Sequence, residues 1–161
     1  MNLTTFEFEV PGPCHGKERP RFRRIGKFVT TYTPKKTKDY EKLVAKSFKK
    51  VAKGKKLEGA IKAEICAIYE PPKSVSKKIR QQMLNNEIPY IKKPDSDNCI
   101  KGVLDSINRI AYEDDSAIDE VHAYKMYGEK AHTQVRLTDE KHAIKPFWFD
   151  KEDKQKTNDD D

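Results

Sequence analysis

Asp95 and Asp97 stand two residues apart in Pro94-Asp95-Ser96-Asp97-Asn98, just ahead of a helical pattern. The proline keeps the approach extended, and alternate residues of an extended chain project to one side, so both carboxylates can aim at one point. Lys101 follows Asp97 by four residues and Asp105 follows Lys101 by four, which sets all three on one helical face. Beyond that helix, Glu113-Asp114-Asp115 can fold back as a third acidic contributor. Oxygen donors of this kind suit a hard cation such as Mg²⁺, which is bound through one or two carboxylates and keeps several waters. Two carboxylates about 4 Å apart repel by roughly 4 kcal/mol at an effective dielectric near 20, so a cation, a proton or Lys101 has to offset them. A metal there could activate water, polarise a phosphoryl oxygen and support the departing oxygen. A nearby lysine would add positive charge where the transition state gathers negative charge. The same residues admit a plainer reading. Asp97 or Asn98 can cap the helix, Glu113 to Ser116 can be a solvated turn, and Asp105 can pair with Arg109 or Lys101. Spacing alone leaves both open.

A basic loop precedes this centre. Lys17, Arg19, Arg21, Arg23 and Arg24 lie on a stretch broken by glycine and proline, with Phe22 among them. On a DNA enzyme such a loop holds phosphates. Phe22 could stack on an unpaired base, but its expected place is the core. Charge is divided accordingly: Cys14 to Lys56 holds 16 Lys or Arg against 3 acids, and Pro94 to Glu120 holds 8 acids against 2 bases. The net charge of +7 favours polyanionic partners without choosing one.

The elements that must position these groups follow from periodicity. Thr4 to Val10 alternates, with Phe6, Phe8 and Val10 on one face, and is stopped by Pro11-Gly12-Pro13. Phe28 to Tyr32 is a second short strand. Thr33-Pro34 opens a helix with Tyr40, Leu43, Val44, Phe48 and Val51 at helical spacing, closed at Gly54. Ile61 to Tyr69 alternates as a third strand. Ser76 to Asn85 is a short helix, and Asn98 to Asn108 a helix burying Ile100, Val103, Leu104 and Ile107. Val121 to Tyr127 and Thr133 to Leu137 read as a hairpin through Gly128. The expected fold is α+β, a mixed sheet of about five strands flanked by helices. The division expected is a single domain over residues 1–137 and a charged, flexible tail over 138–161 that carries Phe147-Trp148-Phe149.

Pro94-Asp95-Ser96-Asp97-Asn98, Lys101, Leu104-Asp105, Asn108, Tyr112 and Asp114-Asp115-Ser116-Ala117-Ile118 together resemble the RusA family of Holliday-junction resolvases. The N-terminal stretch is similar to phage-type members through Gly16-Lys17-Glu18-Arg19-Pro20-Arg21-Phe22 and Tyr32-Thr33-Pro34. The resemblance covers most of Phe6 to Leu137. It implies a crossover-junction endodeoxyribonuclease with catalytic acids at Asp95, Asp97 and Asp115, the same three holding Mg²⁺ with Mn²⁺ able to substitute, and an essential lysine at Lys101. DNA contacts are expected at Lys17, Arg19, Arg21, Arg23, Lys93 and Asn98. It further implies a homodimer that nicks opposing strands of a four-way junction symmetrically. Two departures bear on it. The segment between helix and acidic pair is about one residue short, and Tyr112 replaces a frequent tryptophan, which leaves Asp114 and Asp115 competing for the third position.

With 35% hydrophobic and 37% charged residues the chain is globular and heavily solvated. No apolar run is long enough to span a membrane and Met1 to Thr5 has no signal-peptide character, so a cytoplasmic protein, bacterial or phage-encoded, is expected. Cys14, Cys66 and Cys99 form no metal pattern and read as ordinary reduced residues. Two other functions fit the same residues: a nuclease for flaps or forks, and a non-catalytic module binding branched DNA.

Overall fold

The computed structural model describes residues 4–139. Phe147-Trp148-Phe149 and nearly all of the expected tail lie outside the described residues. Strand β1 (Thr5–Pro11) alternates exposed and buried as its sequence requires. After a loop come β2 (Arg21–Ile25) and β3 (Phe28–Tyr32), paired only with each other. The arginine-rich segment expected as loop is therefore half of a two-stranded hairpin. Its turn is Gly26-Lys27, and Gly26 adopts φ 61°, which suits a tight hairpin turn.

Helix α1 (Lys35–Ala52) buries Tyr40, Val44, Phe48 and Ala52, one per turn, and turns its lysines outward. Thr33 does not cap it. Pro34 takes the N-cap place without a side-chain bond, and Lys53, at φ 49°, closes the other end by donating its N–H to the Lys49 carbonyl. Strand β4 (Ile61–Tyr69) follows, then α2 (Lys77–Leu84), where the Ser76 hydroxyl accepts the Ile79 N–H at 3.3 Å. Helix α3 (Ser96–Leu104) starts two residues earlier than its apolar pattern predicts and passes into a 3₁₀ turn, Asp105–Ile107. It buries Cys99, Gly102, Val103 and Leu104, with Ile107 just beyond, while Ile100 is half-buried.

Strands β5 (Ile118–Tyr127) and β6 (His132–Thr138) complete a mixed four-stranded sheet of order β1-β6-β4-β5, with only β4 and β5 parallel. The six strands thus divide four and two. The expected hairpin between β5 and β6 is not formed, because β4 lies between them. The chain instead crosses the end of β4 at Gly128, whose N–H donates to the Tyr69 carbonyl at 2.9 Å. A side chain there would begin 2.4 Å from Cγ2 of Ile68. Phe6, Phe8, Val10, Ile61, Ala63, Ile65, Val135 and Leu137 form the core, with α1 and α3 packed on it. Phe48 meets both Phe6 and Phe8 edge-on at 5.4 and 5.6 Å.

Candidate active site

Helix α3 is the platform of the site. Asp95 is its N-cap residue, extended at φ −65° and ψ 154°, and makes no capping bond. Asp97 already belongs to the first helical turn. The alternation expected to aim both carboxylates the same way therefore ends at Ser96. Both residues nevertheless line one hollow of about 1000 Å³, shared with Lys17, Arg19, Arg21, Lys93, Asn98 and Lys101. Arg23 is absent from its wall and sits further out on β2.

Two glycines let the basic loop lie this close to α3. A Cβ on Gly102 would meet the His15 carbonyl oxygen at 2.5 Å, and one on Gly16 would meet Cβ of Pro94 at 2.8 Å. With both side chains missing, the Lys17 N–H donates to the Asn98 carbonyl at 3.3 Å. Its ammonium reaches Asp105 Oδ2 at 2.5 Å. Asp105 is thus an ion-pair partner, but of Lys17 rather than Arg109 or Lys101. Farther along the loop Glu18 accepts from Arg21 at 3.0 Å.

The other wall is pinned from the sheet. Lys125, on β5, donates its ammonium to the carbonyls of Lys92 and Pro94 at 2.9 and 3.0 Å. Tyr90 stacks on Tyr69 with ring centres 4.2 Å apart and donates its hydroxyl to the Lys93 carbonyl at 2.9 Å. The segment entering Asp95 is thereby held by three side-chain hydrogen bonds to its backbone. The Lys93 ammonium donates to both oxygens of Asp95, at 2.6 and 2.7 Å. That contact, with a smaller contribution from the charge of Lys125, holds the Asp95 carboxyl below the usual carboxylate range.

The second acidic stretch gathers at the opposite end of α3. Buried Tyr112 donates its hydroxyl to the Leu104 carbonyl at 2.6 Å. Burial first, then the charges of Asp115, Asp105 and Asp114, push its ionisation upward. Eight residues of helical rise separate Asp97 from Asp105, about 12 Å. Asp115 does not line the hollow, and among the described residues no three carboxylate, imidazole or thiol side chains close into a ready-made metal cage. Asp95 and Asp97 therefore share the hollow, and Asp115 stands outside its lining, on the turn that follows α3. Asp114 caps the short turn Asp115–Ala117, accepting from the Ser116 N–H at 3.3 Å and from the Ser116 hydroxyl, which holds its carboxyl below the usual range. Among the described residues no such bond ties Asp115.

The donors on the hollow suit a divalent cation. Asp95 and Asp97 offer hard oxygens at an open wall, and the Lys93 ammonium already occupies a cation's place against both Asp95 oxygens. The remaining coordination positions would fall to water and substrate.

The model of endodeoxyribonuclease RusA matches residues 11–138, most of the chain. This protein belongs to the RusA family. An uncharacterized protein of Bacillus subtilis (strain 168), YqaN, is 31% identical over 139 residues, which cover 84% of this chain and 96% of that one. As a RusA-family member the chain is an endodeoxyribonuclease, and the acidic and basic residues of the hollow all fall within the matched segment. Sequence reasoning overlooked Lys125, Tyr90 and Gly102 in this RusA-type site. Gly102 had a legible signal, a glycine amid the apolar positions of a helix. Lys125 had none, since its carbonyl partners come from a loop 31 and 33 residues away.

Proposed function

We propose that this endodeoxyribonuclease resolves four-way DNA junctions by paired symmetric nicks, using a divalent ion, Mg²⁺ or in its place Mn²⁺, bound at Asp95 and Asp97. The observation that supports this most is that both acids share one hollow with Arg19, Arg21, Lys93 and Lys101. Phosphate-binding cations and cation-binding carboxylates have reason to meet where a phosphodiester is to be cut. When bound, the ion supplies an activated water and positive charge at the scissile phosphate.

The chain's own residues do the rest. Lys101, one turn after Asp97, adds positive charge toward the phosphorane-like transition state. Arg19 and Arg21 hold the flanking phosphates, with Arg23 extending that grip along β2 and Asn98 offering an amide at the helix start. Lys93, which pairs with Asp95, would be free to hold a DNA phosphate once Asp95 held the ion, and Lys17 joins the grip while anchored to Asp105. Asp115 is the third acid, contributed from the far end of α3. Asp114 is spent on its own turn. Symmetric nicking calls for two sites, so the enzyme acts as a homodimer, in the cytoplasm where its DNA substrate lies. Its nuclease domain is residues 1–137, with 138–161 as an appended tail.

The test is to incubate a labelled synthetic four-way junction, a flap, a fork and the matched duplex with wild type and Asp97→Asn. The expected products are paired nicks in the junction bearing 5′-phosphates, formed only with a divalent ion. Cutting by the variant should fall about a hundredfold or more. Equal cutting by both proteins overturns the assignment of Asp97. Cutting of flaps or forks in preference to junctions replaces the substrate, and tight binding without products under any divalent ion leaves a binding module.

A further inference from the structure

Helix α1 turns a continuous row of lysines to solvent. Lys35, Lys38, Lys42, Lys46 and Lys49 recur every three or four residues, with Lys53 at the cap, and all six are exposed. At 3.6 residues per turn the five within the helix fall in an arc of about 80°. Among the described residues no carboxylate pairs with any of the six. The helix brings two acids of its own, Asp39 at the edge of the row and half-buried Glu41. Such a row works against its own helix. Lys38 and Lys42, and Lys42 and Lys46, are like charges four residues apart, which destabilise a helix. Lys35, Lys36 and Lys38 crowd the positive end of the helix dipole, where the first turn holds no acid. Burial of Tyr40, Val44, Phe48 and Ala52 holds the helix instead. A polyanion laid along the row removes the repulsion and leaves that burial untouched.

The place of the row in the fold selects the polyanion. Helix α1 starts beside the hollow: Tyr40 meets the ring of His15 edge-on at 6.1 Å, and His15 lines the hollow with Asp95 and Asp97. From there the helix extends about 27 Å, the length of about eight base pairs of duplex. Just past its far end Lys56 pairs with Glu113 at 2.8 Å, next to Asp114 and Asp115. A membrane surface calls for large apolar side chains beside the lysines, and α1 exposes only Val51, near its far end. A second copy would set lysine against lysine. Duplex DNA, on which an endodeoxyribonuclease acts, offers phosphates along the whole length of the row.

We propose that α1 is a rail for the duplex beside the cut. An arm of the DNA leaving the hollow lies along the helix, and its phosphates meet the lysine row. These contacts reach the DNA backbone alone, so the rail adds affinity and fixes the direction of the arm without reading sequence. Cutting resides in the hollow. This inference rests on the reading that DNA is cut there.

The experiment uses full-length protein in EDTA, so that nothing is cut. Wild type and Lys46→Gln/Lys49→Gln/Lys53→Gln are titrated with four-way junctions whose loop-closed arms are about five or about fifteen base pairs long. Short arms, about 17 Å, stop before these three lysines, and long arms pass them. On long arms the slope of log affinity against log salt should be smaller in the variant by about 2 to 3, and its affinity roughly tenfold lower. On short arms the two proteins should agree. The variant's melting temperature at low salt should be no lower, since like charges are removed and none of the three joins the core. Equal slopes on long arms overturn the rail and leave the hollow intact. An equal loss on short and long arms also overturns it, because the lysines would then act at the hollow itself. A variant that loses binding to phosphatidylglycerol vesicles yet keeps its long-arm affinity shows the row facing lipid, which overturns it as well. Short-armed junctions bound by neither protein remove the hollow as the place of the branch, and the starting point of the rail with it.

Discussion

At the scale of single residues, the site depends on which charged groups are committed and which remain available. Asp114 is bound into its turn by Ser116, whereas Asp115 projects without such a bond. Asp115→Asn should therefore lower junction cleavage about as far as Asp97→Asn is expected to, and Asp114→Asn should retain most of it. Cleavage assays on the two variants check this, and the opposite ranking would exchange their roles. Lys93 sets the ionisation of Asp95. With its folded pKa depressed, Asp95 favours the native state above the ordinary carboxylate range and loses that contribution as pH falls through its lowered value. The pair is open to solvent, so the effect on stability is small. Lys93→Met should bring the Asp95 titration back up toward the ordinary range, as measured by carboxyl-carbon NMR; an unmoved titration would mean that the contact is not maintained in solution. Lys125 acts one step further away. Lys125→Met leaves the Lys92 and Pro94 carbonyls without their charged donor. Cleavage should drop about tenfold while junction affinity in EDTA holds, a division that general destabilisation would not produce. In the sequence, spacing marked the acids and Lys101 as candidates only, and the family resemblance chose between the two readings. These supporting contacts were not legible, because each joins residues distant in the chain.

At the scale of elements, close approach decides the geometry. The loop from Cys14 to Lys17 reaches α3 only because Gly16 and Gly102 lack side chains. Gly102→Ala would drive a methyl against the backbone of His15, and a backbone cannot swing aside as a flexible side chain can. The expected cost is roughly 1–3 kcal/mol in chemical denaturation. Loss of the contact between Lys17 and Asp105 should accompany it, and a variant as stable as wild type would contradict the packing. The regular elements were the readable ones. Alternation revealed β1 and β4, and helical spacing revealed α1. For α2, Ser76 marked the start. Strand β2 was hidden, because a run of arginines around one phenylalanine has no apolar alternation to betray it. Expecting Phe22 in the core failed for the same reason: the hairpin has no core to offer it. The order of β5 and β6 was misread because adjacency in sequence suggested a hairpin, and the insertion of β4 between them is a tertiary fact.

At the scale of the whole molecule, a basic loop and hairpin oppose an acidic helix start across one hollow. The charge division of the sequence foreshadowed that arrangement, though not that α3 would hold the two acidic stretches at its opposite ends. If about six phosphates are neutralised, junction affinity should fall about 10³-fold between 50 and 200 mM salt. A fluorescence-anisotropy series in EDTA measures the slope, and a nearly flat dependence would contradict a grip built on arginine and lysine. The central claim is that Asp95 and Asp97 hold a divalent cation at this hollow. Mn²⁺ titration of the full-length protein, followed by paramagnetic broadening of its NMR signals, tests it most directly. Saturable broadening should centre on the residues from Lys93 to Lys101 in wild type and vanish in both Asp95→Asn and Asp97→Asn. Broadening that persists undiminished in the two variants, or that centres elsewhere, would contradict it.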